Sequence, residues 1–178
     1  MINRVDKYKI RKLTNFIKFI DKEVDSLKIS FVKNKDESNY LIYAMDRTTD
    51  VNLDPRIKSK DGYFLKWNGK QNIYECSLKI NNQQDLDQEQ ILTNTQILFV
   101  RSLGCFYRDF DPVNYSSYLS ECKSDKKELS QIDLEILKYH YSYGICKGTN
   151  IDTFEKNHKD AKEALKNGNT KMHFVHEN

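Results

Sequence analysis

Between Asp6 and Asp25 the apolar residues Ile10, Leu13, Ile17, Ile20 and Val24 recur three and four positions apart. That spacing puts them on one face of a helix. Leu27, Ile29 and Phe31 then alternate with Lys28, Ser30 and Val32, mostly a period of two, which predicts a strand. Tyr40–Met45 is a short, nearly continuous apolar run, and its length and Tyr and Ile content predict a buried strand. Asn68-Gly69 separates Tyr63–Trp67 from Lys70–Ile80. An Asn-Gly pair tolerates the positive φ of a type I′ turn, so these two runs read as a hairpin. In its second arm Tyr74, Cys76, Leu78 and Ile80 share one face, and Glu75, Ser77 and Lys79 share the other.

A second helix is predicted from Asp87, with Gln90 three residues on as its capping-box partner, through Ile91, Leu92 and Leu103. Its segment Ile97–Val100 is apolar all round, which suits a helix buried in the middle of a domain. Gly104 stands where a left-handed residue would end it. After an irregular stretch from Cys105 to Glu128, rich in Tyr, Ser and Asp, Ser130-Gln131-Ile132-Asp133 forms another capping box. It opens a helix to about Tyr141. Asp152 and Glu155 head a last helix carrying Phe154, Ala161 and Leu165, closed near Asn167-Gly168. The expected order is one helix, four strands, a buried helix, a long loop and two helices. That is an α+β fold: helices on a mainly antiparallel or mixed sheet, in one domain over 1–168 with a tail at 169–178.

Composition narrows the function. Aromatics make up 12% of the 178 residues, which argues against disorder. No apolar run approaches the roughly 18 residues of a membrane helix, so no membrane partner is expected. Lys and Arg number 29 against 26 Asp and Glu, a balance too even to steer the chain to nucleic acid. The densest basic stretch, Lys7 to Lys18, shares its helix with Asp6, Asp21, Glu23 and Asp25 and reads as a solvated face. Cys76, Cys105, Cys122 and Cys146 include no C-x-x-C pair; two disulfides or reduced thiols both fit. The start MINRVDKYKI is too charged for a secretory signal. The protein is therefore cytoplasmic as the chain stands, or secreted or periplasmic if a signal was removed.

Leu103-Gly104-Cys105-Phe106-Tyr107-Arg108-Asp109-Phe110-Asp111-Pro112 resembles the end of the active-site helix and the following turn of zincin metallopeptidases, matrixin-like metzincins above all. Leu129-Ser130-Gln131-Ile132-Asp133, with Ile136 and Tyr139, resembles the start of their C-terminal helix. In that family two His at i and i+4 grip zinc and the Glu between them takes a proton from the metal-bound water. With Gly104 as the family's glycine, Ile97 and Arg101 occupy the two His positions, Leu98 the Glu position and Tyr107 the third-ligand position. Aliphatic side chains cannot bind zinc, and a protonated guanidinium repels it. Val113 to Glu121 contains no Met for the methionine turn, and no histidine precedes His140. The resemblance thus implies a pseudopeptidase: no catalytic residues, no metal, no cofactor, and binding of an unknown protein or peptide. It also implies that Ile73–Ile80 is the edge strand that holds substrate, with Tyr74, Cys76, Leu78, Arg108, Asp109, Asp111 and Tyr115 as the candidate binding surface.

Two other readings fit the same residues. One is an enzyme with an unrelated site in the 105–128 loop, built on Asp109, Asp111 and a tyrosine. The other is a small interaction or inhibitor protein of unrelated α+β fold. His140, between Tyr139 and Tyr141 at a helix end, reads as structural. Cys146, six residues on, has no base that sequence can place. His173, His176 and Glu177 form a tail with metal-binding spacing but no cap.

Overall fold

The computed structural model describes residues 7–24, 27–45, 54–68, 73–81, 87–104, 106, 116–120, 127–142 and 151–168. In chain order these form α1 (Lys7–Glu23), β1 (Tyr40–Met45), β2 (Gly62–Trp67), β3 (Ile73–Asn81), α2 (Gln88–Arg101), α3 (Gln131–His140) and α4 (Ile151–Lys166). The α+β class stands. The sheet has the order β1-β3-β2, with β1 parallel and β2 antiparallel to β3.

The periodic apolar faces of the helices meet in one core. Ile17, Ile20 and Val24 at the end of α1 pack with Phe99, Val100 and Leu103 of α2 and with Leu134 and Leu137 of α3. Phe16 meets Phe99 edge to face at 6.2 Å. Burying such side chains stabilises by roughly 1.5–3 kcal/mol each. A smaller cluster joins α2 to the sheet through Leu78, Ile80 and Ile91. Asp87 caps α2 as expected, accepting from Glu89 N at 2.9 Å. Gly168, at φ +70°, follows α4 in the left-handed conformation of a helix stop.

Four sequence expectations are corrected. Three described strands replace four: Leu27–Val32 belongs to no strand. Its alternation has another origin. Leu27 is buried in the helical core, Ile29 donates its backbone N–H to Asp21 Oδ1 at 2.8 Å, and Phe31 and Val32 are exposed. The hairpin exists, but Trp67 pairs with Ile73 across a bulge, so residues 68–72 lie between the strands instead of two; the conformation of Gly69 lies outside the described residues.

The other two corrections concern β3 and Gly104. β3 is the central strand, not the edge. Both of its faces are covered: Ser77 and Lys79 are only 2% and 1% exposed, beside Leu78 at 0%. Residues Asp54–Asp61 supply the second cover. Ser77 donates to the Asp54 carboxylate, Lys79 to the Ile57 carbonyl, and Asn81 N to Asp61 Oδ1 at 2.6 Å. Arg56 grips Asp54 with Nε and a terminal nitrogen at 2.9 and 2.8 Å, reaches Glu75, and lies 4.1 Å over the Phe64 ring. Those bonds hold the Asp54 carboxyl well below the usual range, because Arg56 and then Ser77 favour its charged form over the opposing effect of burial. Gly104 is not left-handed, and α2 ends at Ser102. Glycine is required there for space, as the site shows.

Asp133 does more than the predicted cap. The capping box with Ser130 is present, yet the carboxylate is fully buried. It accepts from Ser117 Oγ at 2.6 Å, Tyr118 N and Leu119 N at 3.0 Å, and Ser130 N and Oγ at 2.8 and 2.9 Å. One side chain therefore ties 117–119 to the start of α3. Asp133→Ala leaves buried donors unpaired, each costing about 1–3 kcal/mol. Urea unfolding is expected to show a loss of at least about 3 kcal/mol for D133A. The exposed neighbour Glu135→Ala is expected to change stability by less than about 0.5 kcal/mol.

Candidate functional site

A cleft of about 740 Å³ is lined by the segment 28–34, the first half of β1 and the ends of α2 and α3. Small-ligand and peptide pockets run from about 300 to 1,000 Å³. Its floor comes from places far apart in the chain: Tyr40, Phe99, Ser102, Leu103, and His140–Ser142 just past α3. Ser102, as the helix C-cap, donates its hydroxyl to Phe99 O at 2.7 Å. Its only proton is then spent, so Ser102 Oγ accepts from Tyr40 OH at 2.5 Å. Tyr141 OH donates to Leu103 O at 2.5 Å.

The floor is electrically neutral. Burial raises the Tyr40 and Tyr141 phenols above their ordinary value. Burial also pushes the Cys76 thiol, next to Tyr40 and Ser102, up to about 11, so it is neither a thiolate nor a nucleophile near neutral pH. His140 is shifted down by desolvation, since its ring sits 4.9 Å from that of Phe106 and 5.0 Å from that of Tyr141. Ser142 Oγ is buried without a hydrogen-bond partner. Such a floor offers neutral hydrogen bonds and contact area, and the charges bordering the cleft sit on its rim, at Lys28, Lys33, Lys35 and Glu37.

Along one wall runs the outer edge of β1. Cys76 N donates to Asn39 O at 2.7 Å, and Tyr40 stands opposite Cys76. In a parallel ladder this makes Asn39, Leu41 and Tyr43 the residues bonded to β3. Tyr40, Ile42 and Ala44 turn their N–H and C=O groups the other way. Ser38 satisfies the first of them: its hydroxyl accepts from Tyr40 N at 3.2 Å and donates to Tyr40 O at 2.6 Å. Among the described residues nothing hydrogen-bonds the outward backbone of Ile42 or Ala44. Ile42 is itself 38% exposed, and Phe31 and Val32 across the cleft are exposed as well.

The residues singled out from sequence lie elsewhere. Ile97 packs on the helical core, Leu98 on the sheet-side cluster, and Arg101 donates from Nε and a terminal nitrogen to Tyr118 O and Ser120 O, both at 2.7 Å. At about 100° per residue, Ile97 and Arg101 point roughly half a turn away from the cleft-lining Phe99, Ser102 and Leu103. Of the expected surface, Tyr74 is exposed, whereas Cys76 and Leu78 are buried on a strand paired at both edges. Cys76 is a free thiol. Tyr107, Arg108, Asp109, Asp111 and Tyr115 lie outside the described residues, as do Cys105, Cys122, Cys146, His173 and His176. Tyr118 of the long loop packs in the core and donates its hydroxyl to Gln96 Oε1 at 2.9 Å. Among the described residues no group of three His, Cys, Asp or Glu is placed to hold a metal, and no helix is long and apolar enough to cross a membrane.

Comparison with family models, curated proteins and solved structures finds no match.

Sequence reasoning missed Ser38, Tyr40 and Ser102. A serine two residues before a strand start was the one local signal, since hydroxyls there bond their own backbone. It also misassigned Gly104. A Cβ at this position would stand 2.6 Å from His140 Nε2 and 2.8 Å from Phe106 Cζ. Gly104→Ala is expected to cost about 1–3 kcal/mol by overpacking. Chemical denaturation in a double-mutant cycle checks the cause: in a His140→Ala background the cost is expected to fall by at least half, and an unchanged cost would place the strain elsewhere.

Proposed function

We propose that this domain is a non-catalytic polypeptide-binding module that takes an extended segment beside β1. The observation carrying this reading is the outer backbone of Ile42 and Ala44, unpaired among the described residues, on a strand whose Tyr40, Leu41 and Ile42 border a cleft of about 740 Å³. An extended peptide laid there gains main-chain hydrogen bonds from the edge, and the cleft receives alternate side chains. The neutral floor suits apolar or uncharged polar side chains, and exposed Phe31, Val32 and Ile42 add apolar contact.

The edge on offer is β1, in place of the Ile73–Ile80 strand expected from sequence. The other open edge, β2, is less suited. It does not border the cleft, and Lys66 near its end pairs with Glu75 at 2.7 Å. Charged side chains on an edge discourage strand addition. Descent from a zincin metallopeptidase belongs to the same proposal and is supported by the residue pattern of 103–112 and 129–133. With Ile97, Leu98 and Arg101 in place of ligands and base, such a domain holds a polypeptide without cutting it.

Display of a randomised peptide library of about ten residues tests the reading, that being the length of a long strand. Ile42→Pro removes one outward N–H, and proline is tolerated at sheet edges. Selected peptides are expected to bind wild type and to lose most of their affinity for I42P while that variant unfolds cooperatively. N-methylation of alternate peptide nitrogens is expected to abolish binding to wild type. Equal binding by I42P, or no selected peptide, overturns the proposal.

A further inference from the structure

The rim of the cleft points to the chemistry of the segment it holds. Its bordering charges are Lys28, Lys33 and Lys35 against Glu37 alone, all exposed. None of the three lysines makes an ion pair among the described residues. The cations that are paired lie elsewhere: Lys66 and Arg56 share Glu75, and Lys138 reaches Glu23 at 3.1 Å. Two acidic neighbours do not offset the rim. Asp21 accepts Ile29 N, and Asp36 in the turn beside Glu37 is not among the lining residues. Lys28, Lys33 and Lys35 border the same cleft as Tyr40, Leu41 and Ile42 of β1, so a segment laid beside that edge meets positive charge. No Asp, Glu, Lys or Arg stands on the floor, and burial disfavours the charged form of His140 there.

We propose that the cleft selects an acidic polypeptide segment, one whose apolar or neutral residues enter the cleft while its Asp or Glu side chains meet Lys28, Lys33 and Lys35. This rests on the strand-addition reading above and adds the charge of the partner. Exposed pairs of this kind contribute modestly one by one, so the effect on affinity comes from three acting together. They also act on the encounter rate, and salt screens them.

Three displayed libraries of about ten residues, matched in their apolar positions, test it. Their polar positions hold Asp and Glu in the first, Asn and Gln in the second, Lys and Arg in the third. At low salt, peptides selected from the acidic library are expected to bind about tenfold tighter than those from the neutral one, with basic peptides weakest. High salt is expected to erase most of that advantage. The triple variant K28E/K33E/K35E is expected to reverse the order, and its exposed positions leave the core untouched. Equal affinity from all three libraries, each lost in I42P, overturns the acidic preference and leaves strand addition standing. Binders from none of the libraries overturn both.

Discussion

The structure depends on the enclosure of the Cys76–Ile80 part of β3. Hydrogen bonds to β1 and β2 occupy both of its edges, and α2 and the Asp54–Asp61 segment cover its two faces. A strand so enclosed normally reads as apolar throughout. Here Ser77 and Lys79 are buried as well, and each is bonded to the covering segment. Burying these groups without partners would cost several kcal/mol, so the Asp54 and Ile57 contacts are conditions of the fold. They also decide where the molecule is open. With β3 enclosed, the open sheet edges among the described residues are the outer rails of β1 and β2, and of these β1 borders the cleft.

A division of labour follows between floor and rim. Ser102 and Tyr141 use their hydroxyl protons on the last carbonyls of α2 and its extension, closing the helix end and flattening the floor in one step. Desolvation disfavours the charged forms of the floor's phenols and imidazole, and of the Cys76 thiol behind them. Charge is confined to the solvated rim, where it can select a partner without a desolvation cost. Arg101 of α2 is engaged structurally: it holds the carbonyls of Tyr118 and Ser120, and Asp133 holds the backbone N–H groups of Tyr118 and Leu119 in the same loop.

The helices were legible because their signals are local. The faces of α1 and α2, the Asp87 cap and the Ser130–Asp133 box are written within a few residues of where they act. Sheet order was not legible, since periodicity reports which face of a strand is apolar and says nothing of its neighbours. Leu27 and Ile29 imitate a strand because the core of α1 and a hydrogen bond to Asp21 pull on alternate residues. Gly104 imitates a left-handed cap, while its cause is the space taken by the rings of Phe106 and of His140, the latter distant in sequence. The cleft was invisible for the same reason: Tyr40, Ser102 and Tyr141 meet only in the folded chain. What was legible of the candidate site was the strand Tyr40–Met45, and not the cleft that its first residues border.

Residue-resolved amide hydrogen exchange along β1 in the free protein bears most directly on the open edge. Leu41 and Tyr43, bonded to β3, are expected to exchange slowly, Tyr40 to be shielded by the Ser38 hydroxyl, and Ile42 and Ala44 to exchange fast. An alternation of slow odd and fast even residues beyond Tyr40 is the predicted result. Protection of Ile42 and Ala44 equal to that of Leu41 and Tyr43 would mean the edge is already occupied, and would contradict the account.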